Sequence, residues 1–126
     1  MVDSHQQLVL IVDDDAGMRQ AMGRLLSAAG YRTAVFCNAE EAQASRLAGH
    51  AQCLVLDVHL PGLSGIAWYA SLGAARPPVV FVSALKTAAL QLAVQHLDDC
   101  RCLTKPFDGG LLVDAVNAAI AKPQPG

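Results

Sequence analysis

The sequence predicts an α/β protein in which a doubly wound parallel β-sheet carries helices on both faces. Several short runs, such as Leu8–Val12 and residues 53–56, are apolar without alternation, which is typical of strands buried on both sides of a parallel sheet. These runs alternate with stretches of helical periodicity, giving five predicted strands and five predicted helices. With 126 residues the chain is expected to form one domain that buries roughly two-thirds of its unfolded surface.

Composition narrows the classes of function. The hydrophobic content of 53% fits a globular domain, and a net charge of −2 gives no electrostatic case for direct nucleic-acid binding. No stretch approaches the roughly 20 apolar residues of a membrane span. The polar first residues carry no signal-peptide pattern, so we expect a cytoplasmic location.

The first two strands and helices follow from apolar spacing and capping residues. Asp15 is expected to cap the first helix and Gly30 to end it. Residues 31–36 form a more polar strand, expected near an edge of the sheet. Asn38 is expected to cap a second helix that runs to about residue 48, with Glu41 at the capping-box position. The predicted inward face of the first helix is Met18, Met22, Leu25, Leu26 and Ala29.

The third strand, residues 51–56, leads to a helix capped by Ser64 that is expected to reach about residue 75. Its inward set is predicted as Ile66, Tyr69, Ala70 and Gly73. We interpret Trp68 and Tyr69 as half-buried aromatics rather than a partner surface.

The remaining elements are two strands and two helices. Residues 79–82 and 100–104 are the strands, and Thr87 is expected to cap the helix between them. Residues 122–126 resemble a linker, so the predicted division is a domain over 1–121 and a short tail. The last helix is expected to begin after Asp108, with Leu112, Val116, Ala119 and Ile120 inward.

Polar side chains follow four of these strands at the point where each strand ends. They are Asp13 and Asp14, Asp57, Ser83 and Lys105. Ligands of open α/β sheets bind outside the carboxyl ends of the strands, so we expect these residues at one edge. Singly, each is more often a helix cap, a turn residue or a solvated lysine. Together they form a set suited to a divalent cation and a phosphoryl group.

The chemistry of this set favours phosphoryl transfer. Three close carboxylates raise each other's pKa unless a cation compensates, and Mg²⁺ is usually held by one or two carboxylates, waters and phosphate oxygens. A carboxylate such as Asp57 can act as a nucleophile toward phosphorus. Lys105 and the metal would then neutralise the oxygens of the transferred group, and Ser83 could donate a hydrogen bond to it.

As a set, these motifs resemble the receiver (CheY-like) domain of two-component response regulators, over about residues 8–120. The motifs are 12–15 (Val-Asp-Asp-Asp), Asp57 with 60–65 (Leu-Pro-Gly-Leu-Ser-Gly), 83–84 (Ser-Ala) and 105–107 (Lys-Pro-Phe). The resemblance implies a flavodoxin-like fold with strand order 2-1-3-4-5. It also implies a signalling module in which a histidine kinase or phosphotransfer protein phosphorylates Asp57.

The resemblance further assigns roles to individual residues. Mg²⁺ would be bound by Asp13, Asp14, Asp57 and the backbone carbonyl of His59. Ser83 and Lys105 would bind the phosphoryl group, and the Lys105–Pro106 peptide would be cis. The chain would be a phosphoacceptor that assists its own phosphorylation and dephosphorylation, rather than an enzyme acting on another substrate. His59 and Leu85, each two residues beyond a site residue, occupy positions that tune the phosphoryl lifetime in this family.

Three features depart from the family pattern. Cys102 stands where an aromatic residue usually forms half of the conformational switch. Residues 97–101 replace a turn of small residues, and the stretch between Asp57 and Ser83 is a few residues short. These changes concern how a signal would reach the face of the fourth helix, fifth strand and fifth helix, the family's usual output and homodimer surface.

Two other functions remain open from the sequence. Asp13 and Asp15 form the Asp-x-Asp of haloacid-dehalogenase-type phosphatases, although there is no room for a cap domain. A degenerate receiver that binds partners without phosphate is the other alternative. The Pro/Gly tail suggests a linker to an output domain, perhaps DNA-binding.

The four cysteines, at 37, 53, 100 and 102, are expected to be free and mostly buried thiols. A metal or redox role for Cys100 and Cys102 is disfavoured, because their spacing fits no usual pattern.

Overall fold

The computed structural model describes residues 6–73, 76–84 and 101–121. Five strands form one sheet with every neighbouring pair parallel, in the order β2-β1-β3-β4-β5. The predicted fold class and strand order are therefore confirmed. The strands are β1 (Leu8–Val12), β2 (Arg32–Phe36), β3 (Cys53–Asp57), β4 (Val79–Ser83) and β5 (Arg101–Thr104).

Burial follows the position of each strand in the sheet. The central strands β1, β3 and β4 are buried along their whole length, as their unbroken apolar runs predict. The β2 strand lies at an edge and contains only half-buried and exposed residues, which confirms its predicted place.

Four α-helices lie within the described residues. They are α1 (Ala16–Ala28), α2 (Ala39–Ser45), α3 (Gly65–Ser71) and α4 (Gly109–Ala121), with a 3-10 turn at Ala48–His50. The helix predicted to follow Thr87, with Leu90, Val94 and Leu97 inward, falls outside the described residues.

Helices cover both faces of the sheet and build two cores. On one face α2 and α3 pack against Leu10, Leu54 and Phe81. On the other, α1 and α4 pack against Ile11 and Val55. Of the predicted inward set of α4, Leu112, Val116 and Ala119 are buried and Ile120 is partly buried.

The predicted caps of α1, α2 and α3 are confirmed, and Thr87 falls outside the described residues. The carboxylate of Asp15 accepts hydrogen bonds from the amides of Gly17 and Met18. Asn38 accepts one from the Glu41 amide, and Ser64 one from the Ala67 amide. These polar caps fix where each helix begins, and thus how the preceding loop leaves its strand.

Several details of the helices differ from prediction. The α2 helix stops at Ser45 because Arg46 takes a left-handed conformation, with φ of 59°. Of the predicted inward face of the first helix, Leu25 and the C-cap residue Ala29 are exposed, and only Met22 and Leu26 are fully buried. The inward side of α3 is formed by Gly65, Trp68 and Tyr69, whereas Ala70 and Gly73 are exposed.

Trp68 is a core residue and not half-buried. Its side chain is 1% exposed, and its indole N–H donates to the side-chain oxygen of Gln43 at 2.6 Å. Tyr69 is also buried, and its ring meets Phe81 edge-on. Neither aromatic offers a partner surface.

The expectation that most cysteines are buried is wrong for the described ones. Cys53 is buried, Cys37 is half-buried and Cys102 is exposed. Burial raises the pKa of the Cys53 thiol to about 12, so this thiol is protonated at neutral pH. Cys100 falls outside the described residues.

Candidate functional site

The carboxyl edge of the sheet brings Asp57 to the end of its central strand, β3. Asp57 is 5% exposed. Its Oδ1 accepts a hydrogen bond from the His59 amide at 2.9 Å. The next residue, Val58, donates to the Val82 carbonyl of β4 at 2.9 Å. The loop that follows Asp57 therefore begins in a defined geometry, with the imidazole of His59 exposed.

Asp13 and Asp14 leave the neighbouring strand β1. Asp13 is fully buried, and its backbone N–H continues the sheet by donating to the Phe36 carbonyl at 3.1 Å. Its Oδ1 accepts from the Asp15 amide at 2.9 Å. Asp14 is exposed. Carboxylate oxygens of Asp13, Asp14 and Asp57 lie within 4.8 Å of one another.

Lys105 joins the two buried carboxylates. Its Nζ donates to Asp13 Oδ2 at 2.9 Å and to Asp57 Oδ2 at 3.1 Å. Its backbone amide donates to the Ser83 carbonyl at 2.7 Å, which anchors the lysine beside the end of β4. The Lys105–Pro106 peptide is cis, as the resemblance implied.

Ser83 is buried as the last residue of β4 and lies opposite Thr104 in the sheet. The β3–β4 register pairs Asp57 with Val82, one residue earlier. The structure therefore brings together the strand ends that carry all five predicted side chains. Leu85 falls outside the described residues.

The charges at this edge are unequal. Three carboxylates face one ammonium group, and within the described residues Lys105 forms the only ion pairs. Burial raises the pKa of Asp13, and the charge of Asp57 adds to the rise, while hydrogen bonds from Lys105 and Asp15 act against it. Burial lowers the pKa of Lys105, but its hydrogen bonds to Asp13 and Asp57 outweigh burial, so that the pKa is raised.

This donor set fits a magnesium ion. All the available ligand atoms are carboxylate oxygens, which hard divalent cations prefer. Three carboxylates and one ammonium group leave a net negative charge at this edge, which a divalent cation would compensate.

Asp15 takes no part in the cluster. Its carboxylate is committed to capping α1, and it points to backbone amides rather than to Asp13. The two residues of the Asp-x-Asp motif therefore have different places: Asp13 is a buried carboxylate of the site, and Asp15 is a helix cap.

Three supporting residues were missed by the sequence reasoning. Arg19 donates from Nη1 to the Asp13 carbonyl at 2.8 Å. Gly65 is buried, and a Cβ there would strike the Asp57 carbonyl oxygen. Glu40 accepts a hydrogen bond from the Leu63 amide at 3.1 Å. Only the Gly65 position gave a signal, since it belongs to the motif at 60–65.

A doubly wound sheet with this acidic edge and its bridging lysine defines a phosphoacceptor signalling domain. The family model described as "Response regulator receiver domain" matches residues 9–117. The chain therefore belongs to the response regulator receiver domain family. Members of this family are phosphoacceptor domains of two-component signalling, and the phosphatase alternative is set aside.

The chain is also similar in sequence to longer curated proteins. Nodulation protein W of Bradyrhizobium diazoefficiens is 32% identical over 118 residues, covering 92% of this chain and 52% of the relative. Transcriptional regulatory protein FixJ of the same organism is 32% identical over 120 residues, covering 93% of this chain and 58% of the relative. The chain thus spans little more than half of either relative.

The fold matches solved receiver domains as well. The non-phosphorylated HemR receiver domain of Leptospira biflexa superposes with a TM-score of 0.86 at 22% identity, covering 96% of this chain and 99% of that one. At this identity the likeness concerns the fold alone. Across the described part of the chain, no helix has the length and apolar character to cross a membrane.

Proposed function

We propose that Asp57 accepts a phosphoryl group from a phosphohistidine of a histidine kinase or phosphotransfer protein, and that the aspartyl phosphate shifts the domain between inactive and active states. The observation that carries this proposal is the position of Lys105 Nζ, within hydrogen-bond distance of both Asp13 and Asp57. The lysine places its own ammonium group beside the carboxylate that would receive the phosphoryl group.

In the proposed reaction an Asp57 carboxylate oxygen attacks the phosphorus atom. The new O–P bond forms as the P–N bond of the phosphohistidine breaks, and the imidazole leaves with the electron pair of that bond. Asp57 Oδ1 already accepts from the His59 amide and Oδ2 from Lys105 Nζ. These contacts orient the carboxylate before the phosphoryl donor arrives.

The chain's own residues would hold the metal and the phosphoryl oxygens. Asp13, Asp14, Asp57 and the His59 carbonyl are proposed as Mg²⁺ ligands, and Lys105 and Ser83 as the phosphoryl-binding pair. When bound, Mg²⁺ neutralises the carboxylates and the equatorial oxygens of the transferred group. The same residues would assist hydrolysis of the aspartyl phosphate by water.

The domain boundaries and the partners are part of the same proposal. Relatives with printed names such as transcriptional regulatory protein FixJ are longer than this chain, which supports a receiver over 1–121, a linker at 122–126 and an output domain, perhaps DNA-binding. Homodimerisation through the fourth and fifth predicted helices and β5 stays a prediction. So does the cytoplasmic location.

A phosphate-independent binding module is the second candidate. It is favoured by Cys102, which occupies the place of the usual aromatic on β5 and is exposed. This alternative predicts that Asp57→Asn leaves affinity for a partner unchanged in the presence of a phosphoryl donor.

Intact-protein mass spectrometry tests the proposal. The protein is incubated with a small acyl-phosphate donor, with and without Mg²⁺, beside Asp57→Asn. We expect one Mg²⁺-dependent phosphoryl adduct that is lost in Asp57→Asn. A folded protein that gains no adduct from the acyl phosphate or from a phosphorylated histidine donor would overturn the proposal and favour the binding module.

A further inference from the structure

The loop between Asp57 and α3, residues 58–64, carries a proposed metal ligand, the His59 carbonyl. Its two ends are fixed by the sheet and by α3. At the start, the Val58 amide donates to Val82 of β4. At the end, Ser64 caps α3 and Gly65 lies against the Asp57 carbonyl. Between these ends, Leu60 is buried in the core and Leu63 packs against it, whereas Pro61 and Gly62 are exposed.

A glutamate on another element holds that middle part. Glu40 lies in the first turn of α2, and its Oε2 accepts a hydrogen bond from the Leu63 amide at 3.1 Å. Within the described residues, this is the one hydrogen bond that ties residues 60–63 to another element of the fold.

The same carboxylate lies close to the backbone of the loop at Gly62. Gly62 has a φ of +72°, and a Cβ built on it would lie 2.6 Å from Glu40 Oε2. The loop thus approaches the carboxylate more closely than any other residue type would allow at that position. Glu40 therefore links α2 to the turn that returns the chain from His59 to α3.

We propose that Glu40 is a positioning residue, which holds the loop of residues 58–64, and through it the His59 carbonyl, in place for Mg²⁺. The inference rests on the proposed function, since it assumes the His59 carbonyl to be a ligand. Residues that orient a metal ligand without touching the metal typically contribute about 10- to 100-fold to metal affinity or activity.

Glu41 provides a matched control in the same helical turn. Its side chain accepts a hydrogen bond from the Cys37 thiol, whereas the described loop residues 58–64 donate to Glu40 and not to Glu41. Glu41→Ala therefore removes the same charge from the same turn while leaving the loop contact intact. Glu40→Gln removes the charge of Glu40 but keeps a side-chain oxygen that can accept from Leu63.

The experiment measures Mg²⁺ binding by calorimetry, the Mg²⁺ concentration that gives half-maximal phosphorylation by an acyl phosphate, and hydrogen exchange of the Leu63 amide by NMR. For Glu40→Ala we expect faster Leu63 exchange and about tenfold weaker Mg²⁺ binding. The half-saturating Mg²⁺ concentration should rise to match, while the maximal rate at saturating Mg²⁺ is nearly retained. Glu40→Gln and Glu41→Ala should stay close to the unmodified protein.

Each contrary result has a distinct meaning. If Glu40→Ala and Glu41→Ala bind Mg²⁺ equally well, the positioning role is wrong while the proposed function stands. If Glu40→Gln is as weak as Glu40→Ala, the effect is one of charge and the inference is overturned. If the unmodified protein gains no Mg²⁺-dependent adduct at Asp57, the proposed function fails and the inference falls with it.

Discussion

The ammonium group of Lys105 lies 2.9 Å from Oδ2 of Asp13, although the two residues are 92 positions apart in the chain. Asp13 is fully buried and the Lys105 side chain is 16% exposed. The pair joins the ends of β1 and β5 across the carboxyl edge of the sheet, and the same ammonium group reaches Asp57 on β3. The lysine that pairs with both buried carboxylates is therefore also the proposed partner of the phosphoryl group.

Removal of Lys105 is expected to destabilise the fold. Lys105→Ala leaves Asp13 and Asp57 buried without a cation, and loss of one partner from a buried pair costs about 3 kcal/mol or more. The measurement is urea unfolding without metal. Added Mg²⁺ should recover part of the loss, because it binds the folded state. Arg24→Ala, an exposed change of equal charge on α1, is the control and should cost less than about 0.5 kcal/mol.

Asp13→Asn is expected to change how stability depends on pH. Folding raises the pKa of Asp13 through burial, so the folded state binds this proton more tightly than the unfolded state does. The contribution of Asp13 to stability therefore falls as the pH rises from below 3.8 to neutral. Metal-free urea unfolding at several pH values should show Asp13→Asn gaining stability relative to the unmodified protein as pH rises. A constant difference across this range would contradict the assignment.

A methyl group added at Gly65 is expected to displace Asp57 by a clash with its backbone carbonyl group. The added Cβ would strike the Asp57 carbonyl oxygen and lie 3.1 Å from the carbonyl carbon. Gly65→Ala should destabilise the protein by about 1–3 kcal/mol, and displacement of Asp57 should slow phosphorylation by roughly tenfold or more. Gly49→Ala meets nothing within 4 Å and serves as the control. Equal effects of the two substitutions would show that the contact at Gly65 is unimportant.

The imidazole of His59 is expected to influence the lifetime of the phosphoryl group. It is exposed, and the His59 amide donates to Asp57 Oδ1, so His59→Ala changes what borders the phosphoryl site while keeping that hydrogen bond. The half-life of the phosphorylated protein should therefore change. It should shorten if the imidazole shields the phosphoryl group from water, and lengthen if the imidazole positions the attacking water. His50→Ala, an exposed histidine of the 3-10 turn, is the control. An unchanged half-life in His59→Ala would show that the side chain has no kinetic role.

The sequence predicts the sheet and its edge well, because both depend on short-range patterns. The apolar run that ends in Asp57 indicates a buried strand, and the polar residues after each run identify the edge. Helix faces were harder, since Trp68 is placed by packing and by its bond to Gln43, on a different helix. Glu40 was missed because an acidic residue in the first turn of a helix is common, and its partner Leu63 is 23 positions away.

Chemical localisation of the phosphoryl group tests the central claim most directly. Borohydride reduction converts an aspartyl phosphate to homoserine, and peptide sequencing by mass spectrometry then identifies the modified residue. After incubation with Mg²⁺ and an acyl phosphate, we expect homoserine at position 57 and none in Asp57→Asn. Homoserine at position 13, surviving in Asp57→Asn and lost in Asp13→Asn, would contradict the assignment of Asp57 as the phosphoacceptor.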